Sequence, residues 1–411
     1  MCAGAEVFFD GDGDGWGDVQ APCGTTAGVV ERAGDCNDGD VETHPDAIDD
    51  CVGDRSCDGT WVVAVPAACP TIQLVLDASA ASGESATVEL AGATYVEDLR
   101  FGTARVMVEG AGPGLTIIEG TGSGPVATFD NGRTTEQGLR GLTVRGGVCE
   151  VISNVCHGGG IRVDRSSPAL EDLEITGNLA DAPTASYGGG ISLSRSSARL
   201  IDVEIHGNTS MYYGGGIYHE NDTATLERVR ITSNVSDTWG GAVASYYSSP
   251  RYDNVILAGN QATYGAAMFV QAGAPQLVQL TVIGNTCARG CGVYAISNAN
   301  VMVHNSTITD NMASDMAGAA LIEAGSALTA RYSNFFGNGG SPFSGLSSPA
   351  GGGGNVSEDP EFIDATGSNP RSWMLRLDAS SPLRNAGDPA ELDLDATRSD
   401  IGAYGGMRSW P

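Results

Sequence analysis

Short runs of alternating apolar and polar residues recur along the chain between about residues 139 and 338. Their apolar positions are β-branched or aliphatic, as in Leu173–Ile175 and Ile191–Leu193, and Gly, Asn, Ser and Asp separate one run from the next. Alternation with a period of two is typical of strands, and the runs are too short and too rich in glycine to be helices. The pattern therefore predicts an all-β structure built from many short strands.

The runs belong to a sequence repeat that occurs seven times. Each copy has a glycine-rich step or its weaker equivalent, an apolar run and an asparagine, and successive asparagines are 30, 26, 26, 25, 26 and 27 residues apart. These asparagines are Asn178, Asn208, Asn234, Asn260, Asn285, Asn311 and Asn338. The period, with three strands and three bends per copy, predicts a right-handed parallel β-helix whose coils lie about 4.8 Å apart. We expect the asparagines to form a structural column that hydrogen-bonds from coil to coil.

The charge of the chain narrows the choice of partners. The 411 residues include 50 acidic and 21 basic ones, the net charge is -29, and every basic residue is arginine. Such a chain is expected to avoid nucleic acid and anionic membranes and to bind cations. No apolar run approaches the length of about 18 residues that suggests a transmembrane helix.

Cysteine usage predicts an exported protein, secreted or at the cell surface. Ten cysteines, several of them in close pairs, suit an oxidising compartment. Cys2 has two interpretations, as the lipid-bearing cysteine of a processed lipoprotein or as a disulfide partner. Short separations in sequence favour the local pairs Cys149–Cys156 and Cys287–Cys291, because loop-closure entropy grows with length.

Residues 1–60 form a separate acidic module with 15 acidic and 2 basic residues. Asp10, Asp12 and Asp14 alternate with glycines, and a second acidic group follows around residues 35–40. Carboxylates at alternate loop positions wrap a hard cation in oxygen ligands, and the alternative is a solvated acidic linker. The loop is not an EF-hand, because Ala21 stands where the final glutamate would be.

The wording of this module, "FFDGDGDGWGD…C…GDCNDGDVETHPDAIDDC…CDG", resembles the metal-binding motif of bacterial secreted and surface proteins, which is itself similar to thrombospondin type 3 calcium repeats. The resemblance implies that calcium (Ca²⁺) is held by Asp10, Asp12, Asp14, Asp18, Asp35, Asp38 and Asp40. It also implies the disulfides Cys23–Cys36 and Cys51–Cys57, which short loops favour too, and leaves Cys2 and Cys69 to pair or stay free. Residues 50–57 depart from the family's pattern, so a ligand set there stays open.

Residues 61–340 are predicted to be the β-helix with an N-terminal cap, which includes a strand at Val62–Val65 and a short helix from about Thr71. The phrases "TVELAGATYVEDLRF", "VMVEGAGPGLTIIEG" and "LRGLTVRGG", with the Gly-Gly-Gly-Ile repeat, resemble bacterial right-handed β-helix proteins of the pectate-lyase-like superfamily. Residues 341–411 would be a linker and a C-terminal segment that, by the same resemblance, caps the last coil. This superfamily includes lyases, hydrolases, epimerases, adhesins and stalks, so the resemblance implies a fold and no single function.

The candidate catalytic residues are few. With no lysine, a lyase of this type would need an arginine base near acidic calcium ligands, and a hydrolase would need paired carboxylates on one face. The carboxylates of the repeats are scattered, and the histidines fall at different coil positions. His219 beside Glu220 is the best acid–base pair that the sequence offers.

One column of aromatic residues precedes the glycine step in four consecutive repeats, as Tyr187, Tyr213, Trp239 and Tyr264. If these rings point inward they belong to the core, and if they point outward they form a flat platform for sugars, rimmed by Glu220, Asp222 and Asp237. The leading hypothesis is therefore a non-enzymatic, calcium-binding surface or adhesin-like protein that binds polysaccharide or another cell-surface glycan. The alternatives are a polysaccharide lyase or hydrolase and an inert stalk.

Overall fold

The computed structural model describes residues 6–21, 28–131, 136–182 and 184–410. Contacts within the chain divide these residues into two compact units. Unit 1 contains the described residues up to Ala91 together with Thr103–Glu109, and unit 2 contains Gly92–Gly102 and the described residues from Gly110 onward.

Unit 1 begins with the antiparallel strands Phe8–Phe9 and Val29–Val30. Its remaining strands are parallel and stack as Trp61–Val65, Ser85–Leu90 and Arg105–Glu109. Helix α1 spans Ile72–Ser82, begins at the N-cap Thr71 and ends at Gly83, whose φ is 79°. The helix buries Ile72, Val75 and Leu76, which confirms the predicted short helix. Among the described residues no helix has the length and apolar character needed to cross a membrane.

Unit 2 is a parallel β-solenoid with three strand-bearing sides. The first side, sheet A, contains ten parallel strands, one from each successive coil. They are Leu99–Arg100, Ala127–Asp130, Ile161–Asp164, Ile191–Ser194, Ile217–Glu220, Val243–Tyr246, Met268–Gln271, Val293–Ile296, Ala320–Ile322 and Phe343–Ser344.

Sheets B and C form the other two long sides and follow one another in each coil. Thr94–Val96 and Ile117–Glu119 open sheet C, and the next four strands pass through both sheets with a bend at a residue of positive φ. These strands are Gly138–Arg145, Ala169–Thr176, Arg199–His206 and Thr225–Thr232. In later coils the same path is divided into two strands, the first in sheet B and the second in sheet C. The pairs are Arg251–Asp253 with Ile256–Ala258, Gln276–Val278 with Thr281–Ile283, Asn300–His304 with Thr307–Thr309, and Ala327–Arg331 with Asn334–Phe336.

Shorter strands lie in the segment that joins sheet C to the next strand of sheet A. They are Leu179–Ala180, Ser186–Tyr187, Thr209–Ser210, Val235–Ser236, Thr286–Arg289 and Met312–Met316. In one coil this segment is an antiparallel hairpin, Glu150–Ile152 with Val155–His157. The hairpin pairs through its second strand with Ser186–Tyr187.

Glycine marks the return of each of these segments to sheet A. Gly189 shows why, because a Cβ atom there would lie 2.4 Å from the carbonyl oxygen of Thr209. No side chain fits so close an approach of backbone to backbone. The repeated glycine step is therefore a packing requirement, and it fixes the residue just before it beside sheet A.

The asparagine column is confirmed as a hydrogen-bonded ladder. In each step one asparagine donates from its backbone N–H and its Nδ2 to the Oδ1 of the next, for example from Asn208 to Asn234 at 3.0 Å for both bonds. The Nδ2 of Asn234 also donates to the carbonyl of Ile205 in the preceding coil at 2.9 Å. The ladder runs from Asn178 to Asn338.

Residues 355–410 leave the last coil and return along the outside of sheet C. Asn334 in the last coil bridges to Val356 and bonds Glu358. Farther along, Leu375 and Ala403 pack on Ile256, Ala258 and Ile283 of sheet C. The strands Phe362–Asp364 and Met374–Leu377 pair here and flank the 3-10 helix Pro370–Ser372. We call residues 359–410 the C-terminal segment.

The disulfides confirm two predicted pairs and correct two others. Cys149–Cys156 and Cys287–Cys291 form as expected from their short loops. In unit 1 the pairs are Cys36–Cys57 and Cys51–Cys69, so both the predicted Cys23–Cys36 and the predicted Cys51–Cys57 are wrong. Cys2 and Cys23 themselves lie outside the described residues.

The predicted pairs in unit 1 were wrong because loop-closure entropy distinguishes only weakly between alternative disulfide pairings. Closing a loop of 21 residues rather than one of about 6 costs only about 1 kcal/mol more. The Arg55 guanidinium bonds Asp50 at 2.6 Å and Asp40 at 3.0 Å, and this network folds the intervening chain so that Cys57 lies beside Cys36.

Candidate functional site

The outer face of sheet A carries the largest group of aromatic rings in contact with one another among the described residues of unit 2. Side chains at the first and third positions of each strand, such as Ile217 and His219, are buried inside the solenoid, so those at the second and fourth positions point outward. Eight rings lie together on this outer side and define the outer aromatic face: Tyr187, Tyr213, Tyr218, Trp239, Tyr246, Tyr264, Phe269 and Tyr294.

The four residues predicted as an aromatic column are consecutive neighbours across the coils. Bridges join Tyr187 to Tyr213, Tyr213 to Trp239, and Trp239 to Tyr264. The rings form two pairs, with centroids 5.4 Å apart for Tyr187 and Tyr213 and 4.4 Å apart for Trp239 and Tyr264. The first pair packs on Tyr218 and the second on Phe269.

These four rings neither point into the solenoid core nor form a fully exposed platform, the two orientations that the sequence allows. They lie outside the solenoid interior, yet each is half-buried against the buried rings of sheet A. The column is thus the exposed layer of a two-layer aromatic cluster. Burial, followed by the charge of Glu220, raises the pKa of Tyr218, so its phenol stays neutral.

A charged cluster lies on sheet A at the N-terminal side of the rings. It consists of Arg100, Asp130, Glu150, Arg162, Asp164, Arg165 and Arg195. Three arginines converge on one carboxylate, since Asp164 is 2.5 Å from Arg195, 3.3 Å from Arg165 and 3.6 Å from Arg162. The cluster holds four arginines and three carboxylates, so it is locally positive in a chain whose net charge is -29.

The disulfide-linked hairpin delivers two side chains to this region. Glu150 at its start bonds Arg100 at 3.0 Å and lies 3.3 Å from Arg162. His157 at its end meets Tyr187 edge to face, with ring centroids 5.2 Å apart. Burial, and then the charge of Arg162, lower the pKa of His157 against the opposing effect of nearby carboxylates. A cavity of about 190 Å³ opens beside Arg100 and Glu150.

Three features of this region were not predicted from the sequence: the charged cluster, the ring of Tyr246 and the packing of His157 on Tyr187. The repeat does contain a pattern that could have identified part of this region. The last strand position of sheet A is held in consecutive coils by Asp130, Asp164, Ser194, Glu220 and Tyr246. Aligning the repeats on this position as well as on the glycine step would have placed them on one outer column.

The predicted acid–base pair His219 and Glu220 is not a pair. Successive side chains of a strand point to opposite faces, and His219 lies inside the solenoid with no exposed surface. Its Nδ1 bonds Asp222 at 2.8 Å and its Nε2 bonds the Tyr252 hydroxyl at 3.0 Å. Glu220 is outside and accepts from Ser194 at 3.1 Å. Asp222 is buried with His219 and does not rim the aromatic face.

Unit 1 brings five of the seven predicted metal-ligating carboxylates into two converging groups. One group is Asp10, Asp12 and Asp38, and the other is Asp12, Asp14 and Asp35. Within each group the ligand oxygens lie within 4.8 Å of one another. Gly11 permits the approach, because a Cβ there would lie 2.8 Å from an Asp38 carboxylate oxygen.

The second group leaves acceptors without donors. The Oδ1 atoms of Asp14 and Asp35 accept backbone N–H bonds at 2.7 and 2.8 Å. The Oδ2 atoms of Asp12, Asp14 and Asp35 are buried and find no hydrogen-bond partner within the described part of the chain. Asp35 is only 4% exposed, and burial, followed by repulsion from Asp14 and Asp12, raises its pKa. Buried acceptor oxygens of this kind match the ligand preference of a hard cation.

The other two predicted ligands lie elsewhere. Asp18 is exposed and belongs to neither group. Asp40 accepts from Arg55 at 3.0 Å and from Thr43 at 3.2 Å, so its charge is balanced by an arginine.

A third group of ligand-type residues lies on sheet C, where Glu174, Glu204 and His206 converge. Arg371 of the C-terminal segment bonds Glu174 at 2.7 Å and Glu204 at 2.8 Å. Burial by itself would raise the pKa of Glu174. Hydrogen bonds from His206 and Thr143 and the charge of Arg371 outweigh burial and lower that pKa. A guanidinium therefore supplies the positive charge in this group.

Parallel coils with three strand-bearing sides are the architecture of a β-helix protein. The family described as "Right handed beta helix region" matches residues 144–308 and 189–357, together more than half of the chain, and the chain belongs to it. Comparison with curated proteins finds no sequence match. A similar solved structure is the A-module of mannuronan C-5 epimerase AlgE6 from Azotobacter vinelandii. The two are 16% identical with a TM-score of 0.35, and the match covers 77% of this chain and 98% of that module.

Proposed function

We propose that this chain is an exported protein that binds carbohydrate chains along its outer aromatic face. The supporting observation is the two-layer cluster itself, in which Tyr187, Tyr213, Trp239 and Tyr264 are half-buried and adjacent across four coils. Rings fixed from below cost little conformational entropy on binding, and tyrosine and tryptophan add polar tips to an apolar surface. The apolar faces of sugar rings suit such a surface.

The neighbouring charged cluster supplies hydrogen-bonding groups at the end of this face. Arg165 and Arg195 are more than half exposed in their side chains, and Asp164 holds both in place. Oriented guanidinium donors beside aromatic rings suit sugar hydroxyl and ring oxygens. Export agrees with the four disulfides of the described residues, which persist in oxidising compartments.

Glycan binding is tested by replacing single rings. We expect Trp239→Ala and Tyr264→Ala each to weaken retention on polysaccharide-coated arrays by about fivefold, which corresponds to about 1 kcal/mol per aromatic contact. The control is Met302→Ala, because Met302 is 50% exposed on the strand Asn300–His304 and belongs to neither the aromatic face nor the charged cluster.

Three outcomes separate the proposal from its rivals. Loss of retention with an unchanged unfolding midpoint supports binding by the face. Loss of stability with no retention by the parent protein supports an inert stalk. Release of unsaturated or reducing sugars by the parent protein supports a lyase or hydrolase, and His157→Gln and Glu220→Gln then test the groups beside Tyr187.

We also infer that unit 1 binds calcium through Asp12, Asp14 and Asp35, with Asp10 and Asp38 adjoining. The three buried oxygens without donors support this ligand set. In the folded unit these carboxylates repel one another, and a divalent cation would convert that repulsion into stabilisation.

Calcium binding is tested by titrating CaCl₂ into the intact protein by calorimetry. We expect Asp35→Asn, which keeps the shape and removes the charge, to weaken binding at least tenfold. Asp46→Asn is the matched control, because Asp46 is exposed and pairs only with Arg32 across 3.4 Å in the described residues. A chelator should expose residues 6–60 to protease and leave the solenoid intact. Equal protease resistance with and without calcium would contradict the inference.

A further inference from the structure

A cavity of about 290 Å³ opens in the C-terminal segment. The rings of Tyr404 and Trp410 line it together with Asp393, Asp400 and Arg384. None of these residues belongs to the outer aromatic face or to the charged cluster.

The two rings are held in fixed positions. Their centroids are 6.5 Å apart with planes at 43°, and both pack on the buried cluster of sheet C. The indole N–H of Trp410 donates to the carbonyl of Asn254 at 3.0 Å. The guanidinium of Arg376 lies over the Tyr404 ring, 5.3 Å from its centroid. An aromatic wall therefore exists before any ligand arrives.

The carboxylates are oriented by the backbone. Asp393 accepts from the amides of Asp400, at 2.9 Å, and of Gly406. Asp400 accepts from the amide of Asn385 at 2.7 Å. Each ionised carboxylate has about four lone-pair sites, so these bonds fix its direction and leave acceptor capacity for further donors.

The composition of the cavity selects the class of ligand. An anion would face Asp393, Asp395 and Asp400, and a cation would face Arg376 and Arg384. Among the described residues the three aspartates do not form a converging metal-ligand group. Aromatic rings beside oriented acceptors and donors suit a neutral molecule with an apolar face and many hydroxyls. The volume lies at the lower end of ligand pockets, about 300–1,000 Å³, which suits one ring-sized unit.

We propose that this cavity binds a single neutral sugar residue, as a second site independent of the outer aromatic face. The site sits on the C-terminal segment along sheet C, whereas the aromatic face covers sheet A. It takes one sugar, whereas the face takes a chain that crosses several coils.

The test is saturation-transfer NMR on the full chain with D-glucose, D-galactose and D-mannose as separate probes. We expect transfer to at least one of them. Arg384→Gln and Tyr404→Ala should each weaken that binding at least fivefold. Arg384 is exposed, so its variant keeps the fold and remains informative if Tyr404→Ala does not.

Trp239→Ala is the matched control, and its monosaccharide binding should stay within twofold of the parent. This control distinguishes the two proposals. If Trp239→Ala loses polysaccharide retention and keeps monosaccharide binding, the two ligands bind at separate sites. The inference is overturned if none of the three sugars shows transfer at about 50 mM. It is also overturned if Arg384→Gln binds as the parent does, or if Trp239→Ala abolishes the binding.

Discussion

Replacing Asn234 by alanine is expected to destabilise the β-helix by about 3–5 kcal/mol. The side chain has no exposed surface and sits in the middle of the ladder. Its Oδ1 accepts from the backbone N–H and the Nδ2 of Asn208, both at 3.0 Å. Its Nδ2 donates to the carbonyl of Ile205 at 2.9 Å. Alanine leaves the backbone N–H of Asn208 buried without its acceptor, and it takes one hydrogen bond each from the Asn208 Nδ2 and the Ile205 carbonyl. A buried group left unsatisfied costs about 1–3 kcal/mol, and the deleted amide also leaves a cavity.

The measurement is the free energy of unfolding from urea denaturation of the parent and the variant. Asn338→Ala is the matched control, because Asn338 ends the ladder and is only partly buried. Water can reach the groups that this variant leaves unpaired, so we expect a smaller loss. A loss below about 1 kcal/mol for Asn234→Ala would mean that backbone pairing alone holds the coils.

The ladder could be predicted from the sequence because its period sets both the column and the contact. Identical residues one coil apart lie about 4.8 Å from each other, which is within reach of an asparagine side chain. Since the amide both donates and accepts, a column of asparagines bonds to itself whichever way the sheet faces. The short helix at Ile72–Ser82 was predictable for a similar reason, since Thr71 and Gly83 mark its ends locally.

The alignment of the aromatic column could be predicted from the sequence, but its burial could not. The period places Tyr187, Tyr213, Trp239 and Tyr264 side by side, yet it does not say what lies beneath them. The rings are half-buried because Tyr218 and Phe269 point outward from sheet A and fill the space under them. That second layer depends on how each connecting segment folds back on its sheet, which the glycine step controls through close backbone contact.

Long-range contacts determine the burial of one face of sheet C, which could not be predicted from the sequence. One strand position of sheet C is held in successive coils by Glu174, Glu204, Arg230, Ile256 and Thr281, and its charged first members are typical of a solvated strand face. The C-terminal segment covers it, so Ile256 and Thr281 have no exposed surface and Arg230 donates to the carbonyl of Trp373 at 2.8 Å. These partners are more than 100 residues apart in sequence, and no local pattern marks their approach.

The second large effect is expected at the buried histidine. His219→Leu should destabilise the solenoid by about 3–5 kcal/mol, because it leaves the Asp222 carboxylate buried without its partner. The two residues are 0% and 2% exposed and are joined at 2.8 Å. The Oδ1 atom of Asp222 already has no hydrogen-bond partner among the described residues, so nothing else there can take over the charge.

Two further variants separate the charge from the hydrogen bond. Tyr252→Phe removes only the hydroxyl that bonds His219 at 3.0 Å and should cost about 1 kcal/mol. Adding Asp222→Asn to His219→Leu should recover part of the loss, because a neutral amide is cheaper to bury than a carboxylate. If the double variant is no more stable than His219→Leu alone, the uncompensated charge is not the cause. Because this network is sealed inside the coils, the same variants should leave the affinity for glycan unchanged in protein that remains folded, which would mark His219 as a residue of the core and not of the binding surface.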